Sequence, residues 1–483
     1  MNAHAVAWLV PALPLFGALA LALPRSERIA AYLTIACSAL AFGLSVVVMA
    51  AVRSAGTLVL VSNWVQVDAL SVLLLLLITF VSATAAVFSA GYIGPEYGSQ
   101  RTRLYYANFN LFAFSMLSIP FIVEFGLVWI AVELTTLLSV LLVSFAGTRE
   151  ALEAAWKYMV LTLLGATVAV LGVLILFWAL HFTGSIDFTW AGLRAGAASM
   201  PLPLVKVAFA LILVGYGAKI GLVPLHTWLP DAHSQAPAPV CALLSGVETT
   251  VVLYVLLRLR GVFLAVPAVH VQAWFAVLGL VSVGAAVLLI MQTHDFKRLF
   301  AFSTVEHMGI ILVAASFATP LGDVSAVWQI MTHAVTKSFC FYAAGSALLV
   351  TGTRSIADVT GLLGRSKVTA AALLVGALAI SGAPPFAVFL SELAIFRAGI
   401  VSHHYLVTGL LAAFVVAGFF GMLFQVTKMI FGRPAKSGRA RPPLPVPCAI
   451  ALGIAALPVI ALGVWVPLSL IELLMRSAAA LGG

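Results

Sequence analysis

Gly215-Tyr-Gly-Ala-Lys219-Ile-Gly-Leu-Val-Pro224-Leu-His226-Thr-Trp228-Leu-Pro230-Asp231-Ala-His233-Ser-Gln-Ala-Pro237 is the stretch that decides how this chain folds. Between Lys206 and Arg258 the sequence on either side of it is apolar enough to lie in a bilayer. Its centre nevertheless holds a lysine, two histidines, an aspartate, three prolines and three glycines. Proline removes a backbone donor and glycine loosens a helix, so this is a hydrophobic span that breaks partway across a membrane. A charge at membrane depth costs about 2.5–3.5 kcal/mol on insertion scales, which marks Lys219 as functional. A broken helix beside an ionisable group points to an ion pathway.

The rest of the chain has the same character. Of its 483 residues 63% are hydrophobic and only 8% charged, and long apolar runs recur from end to end. That balance specifies an all-α polytopic membrane protein. A membrane β-barrel would alternate apolar and polar positions, and these runs do not. The first span begins near Ala5 with no Lys or Arg ahead of it, unlike a secretory signal. The net charge of +9 sits mostly in short loops, where it sets membrane orientation and does not signal nucleic acid. The four cysteines are far apart, with no CxxC and no His/Cys cluster of metal-ligand spacing. No metal and no bound cofactor are therefore expected on this chain. Asp231 with His226 and His233 makes a weak metal pattern, which a polar, hydrated helix break explains equally well. No convincing strand is expected.

About fourteen spans are expected, near 5–23, 28–52, 66–91, 107–123, 125–146, 155–181, 203–232, 238–260, 269–291, 298–317, 323–351, 369–400, 403–431 and 445–475. They form one integral membrane domain over 1–483. Spans one to three occupy 1–106 and span fourteen 445–475. Lys and Arg concentrate after odd-numbered spans, for example Arg25, Arg103, Lys157, Lys297, Arg354 and Arg439. Few follow even-numbered spans: Arg53, Arg194, Lys206, Arg258 and Arg260. The positive-inside rule then puts both termini on the outer side and the loop 433–443 in the cytoplasm. Span seven breaks at Gly221-Leu-Val-Pro224 and span twelve at Ser381-Gly-Ala-Pro384-Pro385-Phe386. Five spans separate the breaks, so the two segments run in opposite directions. That is the pattern of an inverted five-helix repeat, with halves 107–260 (spans four to eight) and 269–431 (spans nine to thirteen).

Several ionisable residues lie within the spans. Glu133 is mid-span and is a candidate charge partner for Lys219. Opposite charges about 4 Å apart at an effective dielectric near 20 attract by about 4 kcal/mol. A proton crossing 100 mV gains about 2.3 kcal/mol, so opening such a pair is on the right scale to gate proton movement. His333 and Lys337 are four apart on one helix face and suit a proton relay. Glu306 and His307 are adjacent, so at most one should face any single pathway. Glu392 follows the second break, with Arg397 as partner or as a side chain snorkelling to the interface. Glu248 in span eight either pairs with a relay residue or is hydrogen-bonded in place. Glu124 and Lys428 read as interfacial.

Lys219 through Pro237 resembles the signature of the antiporter-like proton-translocating subunits of respiratory complex I, of Mrp sodium/proton antiporters and of group 4 [NiFe] hydrogenases and formate hydrogenlyases. Asp295-Phe-Lys297-Arg298-Leu-Phe-Ala-Phe-Ser-Thr-Val-Glu306-His307-Met-Gly309 looks most like the hydrogenase-4 component F type. The resemblance implies fourteen helices, two inverted five-helix repeats and broken helices seven and twelve. It also implies a proton pathway through Glu133, Lys219, His226, Glu248, His333, Lys337 and Glu392. The M-type lysine of span eight aligns with Thr250, a departure that leans toward the hydrogenase branch. The resemblance further implies a bacterial inner-membrane complex with other membrane and peripheral subunits, [NiFe] hydrogenase and iron–sulfur subunits being the candidates. An Mrp-type cation/proton antiporter subunit or a non-translocating scaffold is the alternative. The short sequence after span fourteen implies no L-type lateral helix and a place inside the complex.

Overall fold

A computed structural model of the chain describes residues 3–23, 26–62, 64–94, 97–432 and 443–482. Helices α1 (Ala3–Ala22), α2 (Glu27–Ala55), α3 (Ala69–Tyr92), α4 (Ser99–Ser118), α5 (Phe125–Val143) and α6 (Arg149–His181) lead to a short α7 (Trp190–Gly196). Next come α8 (Leu202–Ile220), α9 (Trp228–Gln235), α10 (Ala238–Leu243), α11 (Thr249–Leu264), α12 (Val271–Gln292), α13 (Phe296–Ser316) and α14 (Pro320–Thr351). A short α15 (Leu362–Arg365) precedes α16 (Lys367–Ile380), α17 (Ala387–Val401), α18 (Tyr405–Ile430), α19 (Val446–Val464) and α20 (Leu468–Gly482). Among the described residues, twelve helical stretches are long and apolar enough to cross a membrane. The protein is an all-helical polytopic membrane protein.

The helix starts follow local chemistry. Ser26, Asp68, Glu124, Thr148, Asp295, Thr319 and Ser366 each accept a hydrogen bond from a backbone N–H of the first turn they cap. That satisfies donors the helix cannot use itself. The stretch from α10 to α11 and α13 apart from Arg298 are almost wholly buried, as is most of α14. The outer helices α1, α2, α12, α18 and α19 turn Leu, Ile, Val and Phe outward, as lipid contact requires. Lys219, Glu248, Glu306, His307, His333, Lys337 and Glu392 therefore face a protein-lined interior.

Connections group at two ends. At one end Val65 bridges Ile122, Glu124 bridges Thr189, and Arg53 pairs with Glu472 of α20 at 2.7 Å. At the other, Asp295 bridges Ser355, and Arg354 donates to the Ser234 carbonyl at 2.7 Å.

Four features depart from the sequence reading. A two-stranded antiparallel hairpin, β1 (Leu58–Val61) with β2 (Val65–Val67), stands where no strand was expected. Its β-branched run is too short to carry a strand signal of its own. Span four begins at Ser99, not near 107, because its first turns carry Arg101 and Arg103 and extend past the apolar run. Span fourteen ends at Val464, and α20 is a separate helix that packs Leu473, Leu474, Ala478 and Leu481 inward. Several basic residues counted as loop charges are not loop residues. Lys157 and Lys206 lie in α6 and α8, and Lys297, Arg258 and Arg260 are buried. Arg258 pairs with Asp68 and Arg260 with Asp323, at 2.7 and 2.8 Å. Arg25, Arg439 and all of the loop 433–443 except its last residue lie outside the described residues.

Candidate functional site

The first break separates α8 from α9. Gly221 closes α8 in a left-handed conformation, φ 87°, and a Cβ there would meet Leu229 Cδ1 at 2.5 Å. Only glycine meets both conditions without strain. Lys219 sits in the last turn of α8, 3% exposed. Its Nζ donates to the Val132 carbonyl and the Thr136 hydroxyl and lies 3.6 Å from Glu133 Oε1. Neither carboxylate oxygen of Glu133 has a hydrogen bond among the described residues. Among the described residues the pair therefore rests on charge and packing.

Glu248 closes a π-turn, Leu244–Glu248, that joins α10 to α11. Such turns re-aim side chains and recur at functional sites. Here it carries Glu248 toward α5 and α6, where Oε1 accepts from Thr135 (3.1 Å), Ser139 (3.4 Å) and Tyr158 (3.0 Å). Glu248 is thus hydrogen-bonded in place. His226 is half-buried in the turn of the first break, and its Nδ1 has no partner among the described residues. Asp231 pairs with Arg298 at 2.6 Å and with Lys157 at 3.4 Å. His233 is buried, with Nδ1 2.7 Å from the Leu229 carbonyl.

The second break separates α16 from α17. Gly382 has φ 71°, and the Glu392 carboxylate packs directly on it. Lys219 precedes its break and Glu392 follows its own, so the two ionisable groups approach the breaks from opposite sides. Arg397 is exposed, with no ion pair to Glu392 among the described residues. Lys337 is fully buried, and its Nζ donates to the Phe300 carbonyl at 2.7 Å and to the Ser303 hydroxyl. His333, one turn away, is also fully buried, and neither ring nitrogen has a partner among the described residues. Its ring stands 5.4 Å from that of His307. Glu306 and His307 are both buried and point apart. Glu306 packs on Gly418 of α18, while His307 Nε2 lies 2.8 Å from the Ile380 carbonyl that ends α16.

Between the halves Ser245 and Thr304 share a 2.6 Å hydrogen bond. Thr304 in turn reaches the Phe300 carbonyl that also receives Lys337. Thr250 bonds back to the Gly246 carbonyl at 3.0 Å, so its hydroxyl is held within its own helix.

Sequence reasoning did not single out Tyr158, Thr135, Ser139, Gln329, Ser391 or Lys297 as members of these sites. The first five are neutral polar residues at unremarkable helical positions. Lys297 neighbours Arg298 and reads as a loop charge. Its Nζ instead donates to the Ser234 and Ala236 carbonyls at the end of α9.

Residues 123–421 match the family NADH:quinone oxidoreductase/Mrp antiporter, TM. The chain is 34% identical over 430 residues to the hydrogenase-4 component F homolog of Methylacidiphilum infernorum, covering 87% of this chain and 89% of that protein. It is 31% identical over 344 residues to hydrogenase-4 component B of Escherichia coli, covering 68% of this chain and 49% of that protein. Among solved structures it resembles a chain of the archaeal membrane-bound sulfane sulfur reductase, with a TM-score of 0.88, 25% identity, and 99% and 98% of the two chains covered. A chain of the Mrp complex from Dietzia sp. gives the same TM-score at 21% identity over 100% and 98%, a likeness of fold.

Proposed function

Because the chain belongs to the NADH:quinone oxidoreductase/Mrp antiporter membrane-subunit family, we propose that it moves protons within a membrane-bound oxidoreductase complex of the hydrogenase-4 kind. Electron transfer on partner subunits shifts charge in the membrane arm, and this chain answers by opening and closing the Glu133–Lys219 pair. The observation that carries the reading is that pair: a buried lysine at a helix break, 3.6 Å from a carboxylate without a hydrogen bond among the described residues. A carboxylate fixed only by charge is free to leave when the charge around it changes.

In this reading α4 and the broken α16–α17 segment join the twelve apolar stretches as spans, giving fourteen. Spans four to eight and nine to thirteen form two inverted repeats around breaks seven and twelve. The proton passes from Lys219 across the interface to Lys337 and His333 and leaves through Glu392. His226 lies at the first break, and Glu248 anchors the hydroxyl cluster of α5 and α6. The redox cofactors sit on partner subunits, the complex resides in the bacterial inner membrane, and both termini face outward.

The test is to purify the tagged chain in mild detergent, identify its companions by mass spectrometry with nickel and iron measured alongside, and then follow proton movement in proteoliposomes. Hydrogenase and iron–sulfur companions with redox-driven proton movement are expected. Mrp-type companions without a redox partner, and sodium-dependent transport, would replace this reading with a secondary antiporter.

A further inference from the structure

Four neutral or weakly basic side chains tie the second break together. His307 Nε2 lies 2.8 Å from the Ile380 carbonyl, the end of α16. A carbonyl only accepts, so Nε2 carries a proton and the neutral ring presents Nδ1 as an acceptor. Gln329 Nε2 meets that Nδ1 at 2.9 Å. The other end of the same amide, Oε1, accepts from the Ser391 hydroxyl at 2.5 Å. Ser391 also contacts Thr332 Oγ1 at 2.8 Å and the Val388 carbonyl at 2.9 Å. Ser391 lies on α17, one residue before Glu392, and Glu392 packs on Gly382, two residues beyond Ile380. The chain of bonds therefore begins at the half-helix before the break and ends on the half-helix after it.

We propose that Gln329 is an amide switch that couples protonation of His307 to the hydrogen-bond polarity of Ser391, and so positions the half-helix that bears Glu392. This inference rests on the proton-translocating reading above. The step balances simply. A protonated His333 gives up its proton, and His307 gains it at Nδ1. Nδ1–H and the Gln329 N–H would then face each other as two donors. Turning the amide by half a turn puts Oε1 on Nδ1–H and directs the N–H pair at Ser391 Oγ. Ser391 becomes an acceptor and turns its own proton to the Val388 carbonyl, already 2.9 Å away. Thr332 has the Trp328 and Gln329 carbonyls in reach, at 3.2 and 3.3 Å, and loses nothing. Among Gln329, Ser391 and Thr332 each hydrogen bond given up in one state is replaced in the other, which is what a bistable element requires. In the second state the positive ring and the reversed amide dipole favour the Glu392 carboxylate, so a proton taken up at His307 favours release at Glu392.

The charged groups around this ring act on it from several elements. His333 and Lys337 face it from α14, Glu306 adjoins it on α13, and Glu392 lies across the break on α17. From α9, Asp231 and His233 reach α13 only near its start, by Arg298 and Lys297. On α11, Arg260 is engaged by Asp323 and Arg258 by Asp68.

The test uses the full chain in its complex, with Gln329→Glu, Gln329→Met and Ser391→Ala. Two readouts are taken: the pH profile of proton movement, and the ¹⁵N-histidine spectrum of the purified chain, assigned through His307→Gln. A glutamate at 329 only accepts when ionised, so His307 should hold its second proton where the wild-type ring does not, with the pH profile flattened and proton movement down at least about fivefold. Gln329→Met keeps the volume and should restore neutral His307 without restoring the profile. Ser391→Ala removes the far end of the switch and should lower proton movement, with a shift of the His307 titration smaller than that in Gln329→Glu, because the coupling is reciprocal. A neutral His307 in Gln329→Glu, or unchanged pH profiles in all three variants, would overturn the switch. A wild-type complex that moves no protons would instead overturn the proposed function, and the histidine spectrum would still decide the switch.

Discussion

The two halves solve the problem of a buried lysine differently. In the first, Lys219 has a counter-charge: Glu133 at 3.6 Å, with Val132 and Thr136 supplying oxygens. In the second, the bonds of Lys337 among the described residues go to neutral oxygens, those of Phe300 and Ser303, and the carboxylates Glu306 and Glu392 pack on glycines Gly418 and Gly382. An ion pair stores charge and resists its loss. An ammonium held by neutral oxygens gives up its proton with less penalty to its surroundings. Under the proposed function the first half would gate and the second would pass a proton on.

The largest expected effect compares the two lysines directly. Lys219→Met strands the Glu133 carboxylate without a counter-charge and should cost about 3–5 kcal/mol of stability. Lys337→Met leaves only a carbonyl and a hydroxyl and should cost about 1–3 kcal/mol. Thermal unfolding of the two purified variants checks this, and equal losses would erase the distinction. Glu133→Gln would turn the first site into a likeness of the second, a lysine among neutral oxygens. Under the proposed function, proton movement in proteoliposomes should fall about tenfold, since the attraction of about 4 kcal/mol within the pair is gone.

The breaks offer a smaller contrast. Gly221→Ala and Gly382→Ala both force a left-handed conformation on an alanine, at about 1–2 kcal/mol each. Gly382→Ala in addition displaces Glu392 and should depress proton movement, whereas Gly221→Ala meets Leu229 and should act mainly on stability. Activity measured beside melting temperature separates the two.

How far the sequence discloses these sites depends on the kind of residue. Both breaks, Lys219 with Glu133, and Glu392 stand out because a charge, a proline or a left-handed glycine is costly in an apolar run. The Gln329–Ser391 network does not stand out. Hydroxyls and amides are cheap in a helix, and their meaning comes from partners 22 and 62 residues from Gln329 in the chain. Arg260 and Asp323 are hidden for the same reason: each looks like a span-end charge until the fold buries them together. The hairpin at 58–67 and the end of span fourteen at Val464 are likewise set by tertiary neighbours and not by local pattern.

A pH-dependent effect lies away from both breaks, at the Asp68–Arg258 clamp. Burial alone would push the Asp68 carboxyl up, but the Arg258 guanidinium and the Ser71 N–H together hold it below the usual carboxylate range. A group with a lowered folded-state value contributes stability above its unfolded value, about pH 4, and loses it as the pH falls through the folded value. Asp68→Asn should therefore cost about 1–3 kcal/mol near neutral pH and flatten the acid limb of the melting profile. An unchanged acid limb would assign that limb to other carboxylates.

The most direct measurement is redox-driven proton uptake by proteoliposomes holding the purified complex, wild type against Lys219→Ala, with subunit composition and electron transfer assayed on the same preparations. The account predicts an assembled complex that still transfers electrons and no longer moves protons. Wild-type proton movement in a well-folded Lys219→Ala complex would contradict it.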